Sequence, residues 1–232
     1  MWKPAAMLVL LALTGCAVPA HRATLPAGFV PLLDGKTAKG WHWSRTTHHG
    51  TTARAVIEDG ALVLQPEPYG QGGMLLTDET FTDFELVIEA KLDPGYNSGL
   101  FLRSTESGVA YQIELLRPGN TGAWLGEGLR FSKPRYIGPV ADIEKVWRDG
   151  EWNALRVRMV GREPHVTLWI NDVKMWEVEM PANDQVAGRY GGMIGLQLHW
   201  TAAYSETAQA NSIGGRSWQV QRFRNIGIRR LP

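Results

Sequence analysis

The chain has a single cysteine, Cys16, among 232 residues. An internal disulfide is therefore excluded, and no covalent staple holds the fold. Charge of one sign is also missing. Lys plus Arg total 24 and Asp plus Glu total 23, so no basic field draws in nucleic acid or an anionic lipid surface. The apolar run Ala5 to Leu13 is too short to cross a bilayer as a stable helix. No long stretch carries a helical period. A Gly-rich phosphate loop, a nucleophile elbow and a Cys-His zinc pattern are all absent. A Ser-His-Asp triad has no basis in the spacing.

What the N-terminus does contain reads as a leader. Lys3 gives a positive start, and the apolar run suits the core of a signal peptide. Leu13-Thr14-Gly15-Cys16 follows. This tetrad resembles a bacterial lipobox, in which the cysteine is lipidated and becomes the mature N-terminus. The expected organisation is a signal peptide over 1–15, a tether over 16–25 and one β-sandwich domain over 26–232. The expected location is the outer membrane or periplasm of a Gram-negative bacterium, with Cys16 as the membrane anchor.

The domain is rich in two residue types. Twenty-six glycines supply turns for many short strands, and ten tryptophans exceed what one small core needs. Indole faces can stack on sugar rings, although packing accounts for most tryptophans in most proteins. Strand signals recur at short intervals. Phe84, Leu86, Ile88, Ala90 and Leu92 alternate with Glu85, Val87, Glu89 and Lys91, a period of two with one face in the core. Glu58-Asp59-Gly60 and Asn171-Asp172 mark hairpin turns. The last strand runs from about Gln219 to Arg230, and 142–148 suits a short helical turn. This rhythm predicts an all-β jelly-roll sandwich of two antiparallel sheets. Two stretches, 117–146 and 201–217, break it and read as loops.

Three strands share an unusual outer face. Gln112 and Glu114 lie opposite Tyr111, Ile113 and Leu115. Gln197 and His199 lie opposite Leu196, Leu198 and Trp200. Alternation also places Arg103 with Phe101 and Gly99. If the three strands are neighbours, Arg103, Gln112, Glu114, Gln197 and His199 form one floor. Ordinary solvated faces favour Thr, Lys and Glu, whereas this set suits hydrogen bonding to a polyol. Both readings stand on pattern alone. His48 and His49 are adjacent, so in a strand they point apart, and their spacing fits no usual metal site.

At these residues the chain resembles a known family, the 3-keto-disaccharide hydrolases. That family is also described as 3-keto-α-glucoside 1,2-lyase/3-keto-2-hydroxy-glucal hydratase. The matching blocks run in order: 29–41 (FVPLLDGKTAKGW), 57–64 (IEDGALVL), 84–103 (FELVIEAKLDPGYNSGLFLR), 111–116 (YQIELL), 150–153 (GEWN), 168–173 (LWINDV), 195–199 (GLQLH) and 223–228 (FRNIGI). Many members read Glu-x-Gln in the central strand, where this chain has Gln112-Ile113-Glu114. The resemblance implies a concanavalin A-like jelly roll that cleaves 3-keto-glycosides by elimination across C1–C2 followed by hydration.

That chemistry needs a base near C2, a donor near the ketone oxygen and an acid near the leaving oxygen. On this reading Glu114 and His199 are base and acid, in either order, and Arg103 steadies the enolate. Gln112, Gln197 and Asn97 hold hydroxyls, with Trp124, Glu127 and Trp200 as further substrate contacts. The pattern fixes no cofactor. A divalent metal held by Glu114 and His199 is an alternative, and a non-catalytic, lectin-like envelope module is the rival class. The expected partners are a carbohydrate and, through the lipid, a membrane, with no role for nucleic acid.

Overall fold

The computed structural model describes residues 25–51, 53–66, 72–93, 95, 97–117, 119–132, 137–138, 140–183, 190–199 and 220–232. Cys16 and Trp200 lie outside them, as do the leader, most of the tether and the polar stretch 201–217.

Fourteen strands and one short helix build two antiparallel sheets among the described residues. The strands are β1 (Val30–Pro31), β2 (Trp41–Trp43), β3 (Arg54–Glu58), β4 (Ala61–Gln65), β5 (Gly73–Thr77), β6 (Phe84–Leu92) and β7 (Asn97–Ser104). They continue as β8 (Ala110–Leu116), β9 (Trp124–Glu127), β10 (Asn153–Val160), β11 (His165–Ile170), β12 (Val173–Glu179), β13 (Met193–Leu198) and β14 (Gln221–Arg230). The helix α1 is Ile143–Val146. One sheet runs β12-β11-β10-β6-β14-β4-β3, with β1 added on β14, and the other runs β2-β5-β13-β7-β8-β9. This is the all-β jelly-roll sandwich that the alternation predicts.

The core is the interleaved inner halves of both sheets. Phe84, Leu86, Ile88, Ala90 and Leu92 of β6 are all buried in it, with Leu155, Val157 and Met159 of β10. Leu100 and Leu102, Tyr111 and Ile113, and Leu196 and Leu198 face them from the second sheet. The turns follow the residues that tolerate positive φ. Asp59 and Gly60 sit at 50° and 78°, and Asn171 and Asp172 at 47° and 66°, the backbone of tight hairpins. Asn171 also stitches its neighbourhood together, accepting from Ala154 N and donating to Val146 O and Asn153 Oδ1.

Candidate functional site

Strand β7 lies between β13 and β8, so the three polar strands are neighbours. Registry then fixes who meets whom. Gly99 pairs with Glu114 on one side and with Gln197 on the other, and Phe101 pairs with Gln112. The Ser98 hydroxyl donates to Gln197 O at 2.7 Å and ties β7 to β13. The outer faces of these strands form the floor of a hollow of about 480 Å³. Asn97, Gln112, Glu114, Gln197, His199 and Glu127 all line it.

The floor is held by amides. Gln112 and Gln197 are 4% and 2% exposed. Gln112 Nε2 approaches Gln197 Oε1 at 3.5 Å. This meeting requires Gly99, because a Cβ there would lie 2.5 Å from Gln112 Nε2 and 2.9 Å from Gln197 Oε1. Gln112 Oε1 has no hydrogen-bond partner among the described residues. A buried acceptor left unpaired costs about 1–3 kcal/mol, which a ligand hydroxyl would recover.

One wall is the segment 44–51, which crosses the outer face of this sheet. Ser44 N donates to Met74 O, and the segment lies beside a small buried cluster of Met74, Leu76, Phe101 and Ala110, with Gly108 closing on Thr47 and Met74. It carries His48 and His49 into the hollow. His49 is 3% exposed, with its ring 5.6 Å from His199 and edge-on to Phe101 at 5.9 Å. Gln197 Nε2 lies 3.2 Å from both His49 ring nitrogens. An accepting nitrogen must be unprotonated, so this contact favours the neutral ring. Burial does the same, and with the His48 and His199 rings it pushes the His49 pKa down to about 3.

Glu114 responds in the opposite direction. Burial raises its pKa, the Glu127 charge adds to the rise, and a hydrogen bond from Asn120 opposes it. The local backbone explains its placement: Glu114 N donates to Ala123 O and Gly122 N donates to Glu114 O, folding the 119–123 turn back beside β8. The hollow therefore brings together a carboxyl biased toward its acid form and a buried imidazole kept neutral. His48, His49 and Glu127 each offer one donor atom, all within 4.8 Å of one another. His48 Nε2 is 3.5 Å from Glu127 Oε1. Two imidazoles and one carboxylate suit a divalent transition metal.

Two expectations are corrected. Arg103 does not reach the hollow. Between Phe101 and Ser104 strand β7 holds one residue more than β13 opposite it, a bulge, and Arg103 takes φ 52°. Alternation fails across a bulge. Gly192 permits the close approach, since a Cβ there would sit 2.3 Å from the Arg103 carbonyl carbon. The guanidinium turns into a corner beyond the hollow, donating to Thr82 O, Gly161 O and Asp83 Oδ1 at 2.8 to 2.9 Å. Trp124 is likewise no substrate contact. It pairs with Ile113, so it faces inward, fully buried and stacked on Tyr111. The residue of β9 that turns toward Gln112 is Leu125.

Sequence reasoning set His48 and His49 aside, because their proximity to Gln197 depends on how a loop crosses a sheet. The one signal in the sequence is that adjacent histidines precede a glycine, Gly50, whose φ is 106°.

Comparison with known proteins agrees with this architecture. A 3-keto-disaccharide hydrolase of Bacteroides thetaiotaomicron is 32% identical over 84 residues, which is 34% of this chain and 28% of that relative. A candidate glycosyl hydrolase from Parabacteroides distasonis ATCC 8503 superposes with a TM-score of 0.52 at 22% identity, covering 88% of this chain and 99% of that one. An endo-β-galactosidase from Clostridium perfringens gives a TM-score of 0.56 at 12% identity, over 87% of this chain and 63% of that one. These two likenesses speak to the fold. The family model of the 3-keto-alpha-glucoside-1,2-lyase-like domain matches residues 28–229, and the chain belongs to that family.

Proposed function

We propose that the protein cleaves 3-keto-glycosides in the hollow by elimination followed by hydration. A ketone at C3 acidifies the hydrogen on C2, because the carbanion formed is an enolate. A base takes that proton, the enolate collapses, and the C1–O bond breaks as the leaving oxygen gains a proton. Water then adds its oxygen to C1 and a proton to C2, completing net hydrolysis. No glycosyl oxocarbenium ion forms, so two carboxylates at glycosidase spacing are unnecessary.

The observation that carries this reading is the pairing of Glu114 with imidazoles around one buried amide floor. Glu114, with its raised pKa, is suited to give the leaving oxygen its proton. His199 is suited to take the C2 proton. His49, with a pKa of about 3, is too weak a base for that step and serves as a neutral wall. Asn97, Gln112 and Gln197 hold hydroxyls. With Arg103 turned away, enolate charge falls to the Gln197 amide or to a cation held by His48, His49 and Glu127. Such a cation would polarise the ketone as a Lewis acid.

The test is turnover of a 3-keto-glucoside, followed by enone absorbance and released aglycone. Glu114→Gln should cut it by about 100-fold or more with the unfolding midpoint held. Full turnover in both Glu114→Gln and His199→Ala removes the assignment. Full turnover in chelator removes the cation. Gln112 Oε1, without a partner among the described residues, would also serve a lectin, and tight binding of unoxidised glycans with no turnover of any 3-keto sugar would favour that reading. Anchoring through Cys16 is proposed on the lipobox alone, and Cys16→Ser should move the protein from the membrane to the soluble fraction.

A further inference from the structure

The outer face of the other sheet carries a cleft that the chemistry above does not use. It has a volume of about 390 Å³ and lies over β6, β10 and β14, beside the N-terminal segment at Phe29. The two hollows open on opposite faces of the sandwich, with the core between them.

The walls of this cleft are two matched stacks. The Arg156 guanidinium lies over the Trp169 ring at 5.0 Å, and the Arg229 guanidinium lies over Phe29 at 5.2 Å. Both are tied to the same atom, Glu85 Oε2, at 2.9 and 2.8 Å. Glu85 is itself 4% exposed, so the anchor is fixed. Each pairing sets a planar cation and an aromatic face in place before anything binds. The floor is apolar: Val87 sits beneath, and Ala154, which is exposed, points outward beside it. At the far rim Glu89 is held by Arg224 Nε at 2.7 Å and Asn225 Nδ2 at 2.8 Å. Asp172 completes that rim.

The sheet face gathers a half-buried tryptophan, a valine and a phenylalanine around one concavity. Aromatic faces with a short apolar floor and a few oriented polar groups match a pyranose ring, whose C–H faces are apolar and whose edge is ringed with hydroxyls. The charges lining the cleft, Arg156 and Arg229 against Glu89 and Asp172, balance. A net field for a phosphate or an acidic sugar is therefore lacking.

We propose that this cleft is a second carbohydrate-binding site, which takes a pyranose unit of a neutral glycan and holds the protein on it while the opposite hollow stays open. The proposal is independent of what the front hollow catalyses. Trp169 with the Arg156 guanidinium stacked on it is one wall against which the ring packs, Glu89 addresses hydroxyls from the opposite rim, and Ala154 leaves the space in which the ring sits.

The experiment is calorimetric titration of the full chain with three neutral tetrasaccharides, maltotetraose, cellotetraose and laminaritetraose. At least one should bind wild type and Glu114→Gln alike. Trp169→Ala should weaken that binding tenfold or more. Ala154→Tyr, which fills the cleft from an exposed position without touching the core, should do the same and guards against a folding defect in the first variant. Turnover of a small 3-keto-glucoside should be unchanged in both. Absence of binding to all three sugars overturns the proposal. So does binding that survives both cleft variants, or binding that Glu114→Gln abolishes, which would place the sugar in the front hollow.

Discussion

The two ends of strand β7 treat polar groups in opposite ways. At its start, Asn97 and Gly99 open onto a hollow in which Gln112 Oε1 has no hydrogen-bond partner among the described residues. At its end, the Arg103 guanidinium is 3% exposed and engaged by two carbonyls and a carboxylate. Asp83 in turn accepts from Gly161 N and from the Tyr190 hydroxyl. Eight residues thus join a site built to receive hydrogen bonds to a corner where they are already made. The first arrangement leaves an acceptor for the proposed ligand, and the second ties the corner together.

The largest effect should come from breaking the satisfied end. Asp83→Ala leaves the Arg103 charge buried without its carboxylate. Burial already pulls the Arg103 pKa down while Asp83 holds it up. Removing one partner of such a pair costs about 3–5 kcal/mol. Denaturant unfolding should show that loss, while turnover per folded molecule stays at the wild-type value. A fall in turnover without a fall in stability would return Arg103 to the chemistry and erase the contrast between the two ends.

The next effect probes the unsatisfied end through pH. Unfolded His49 takes up its proton near pH 6.5, and folded His49 does so only near about 3. The unfolded chain binds the extra proton between those values, so stability is present above pH 6.5 and is lost as pH falls through that window. The full swing is on the order of 2–4 kcal/mol. His49→Gln keeps a polar group beside Gln197 but removes the titration, and its stability should be flatter between pH 6.5 and 3. An unchanged acid slope would mean that His49 is not held neutral.

What could be read beforehand divides along the same line. Alternation in Phe84–Leu92 and in 111–115 announced the sandwich and the polar face of β8, because a period of two is written residue by residue. The bulge was not legible. Arginine has no special liking for positive φ, and the strain at Arg103 is imposed by Gly192 and Asp83 from elsewhere in the chain. His49 was illegible for a related reason. Its burial and its contact with Gln197 span 148 positions and depend on how 44–51 lies over the sheet. Trp124 was misplaced by its loop-like setting, whereas one residue of β9 register turns it inward. Local period fixes a face; long-range packing decides which members of that face meet.

The smallest effect concerns the rim where the two styles meet. His42 on β2 lies 2.6 Å from Asp78 Oδ1 through Nδ1 and 3.0 Å from Glu106 Oε2 through Nε2. Glu106 also accepts from Arg45 N, and its carbonyl accepts from the Ser44 hydroxyl, so the clamp holds the root of the 44–51 wall. Burial lowers the His42 pKa, but the hydrogen bonds to Glu106 and Asp78 outweigh it and the net shift is upward from 6.5. Its contribution is therefore complete below pH 6.5 and lost as pH rises through the folded value. The ring is 37% exposed, so solvent screening limits the effect to less than about 1 kcal/mol. The difference in unfolding midpoint between wild type and His42→Gln should shrink as pH rises, the reverse of the His49 trend. If the two histidines instead drift in the same direction with pH, the front sheet is not divided into a neutral interior and an ion-paired rim. The 44–51 wall would then owe its position to packing against Met74 and Phe101 alone.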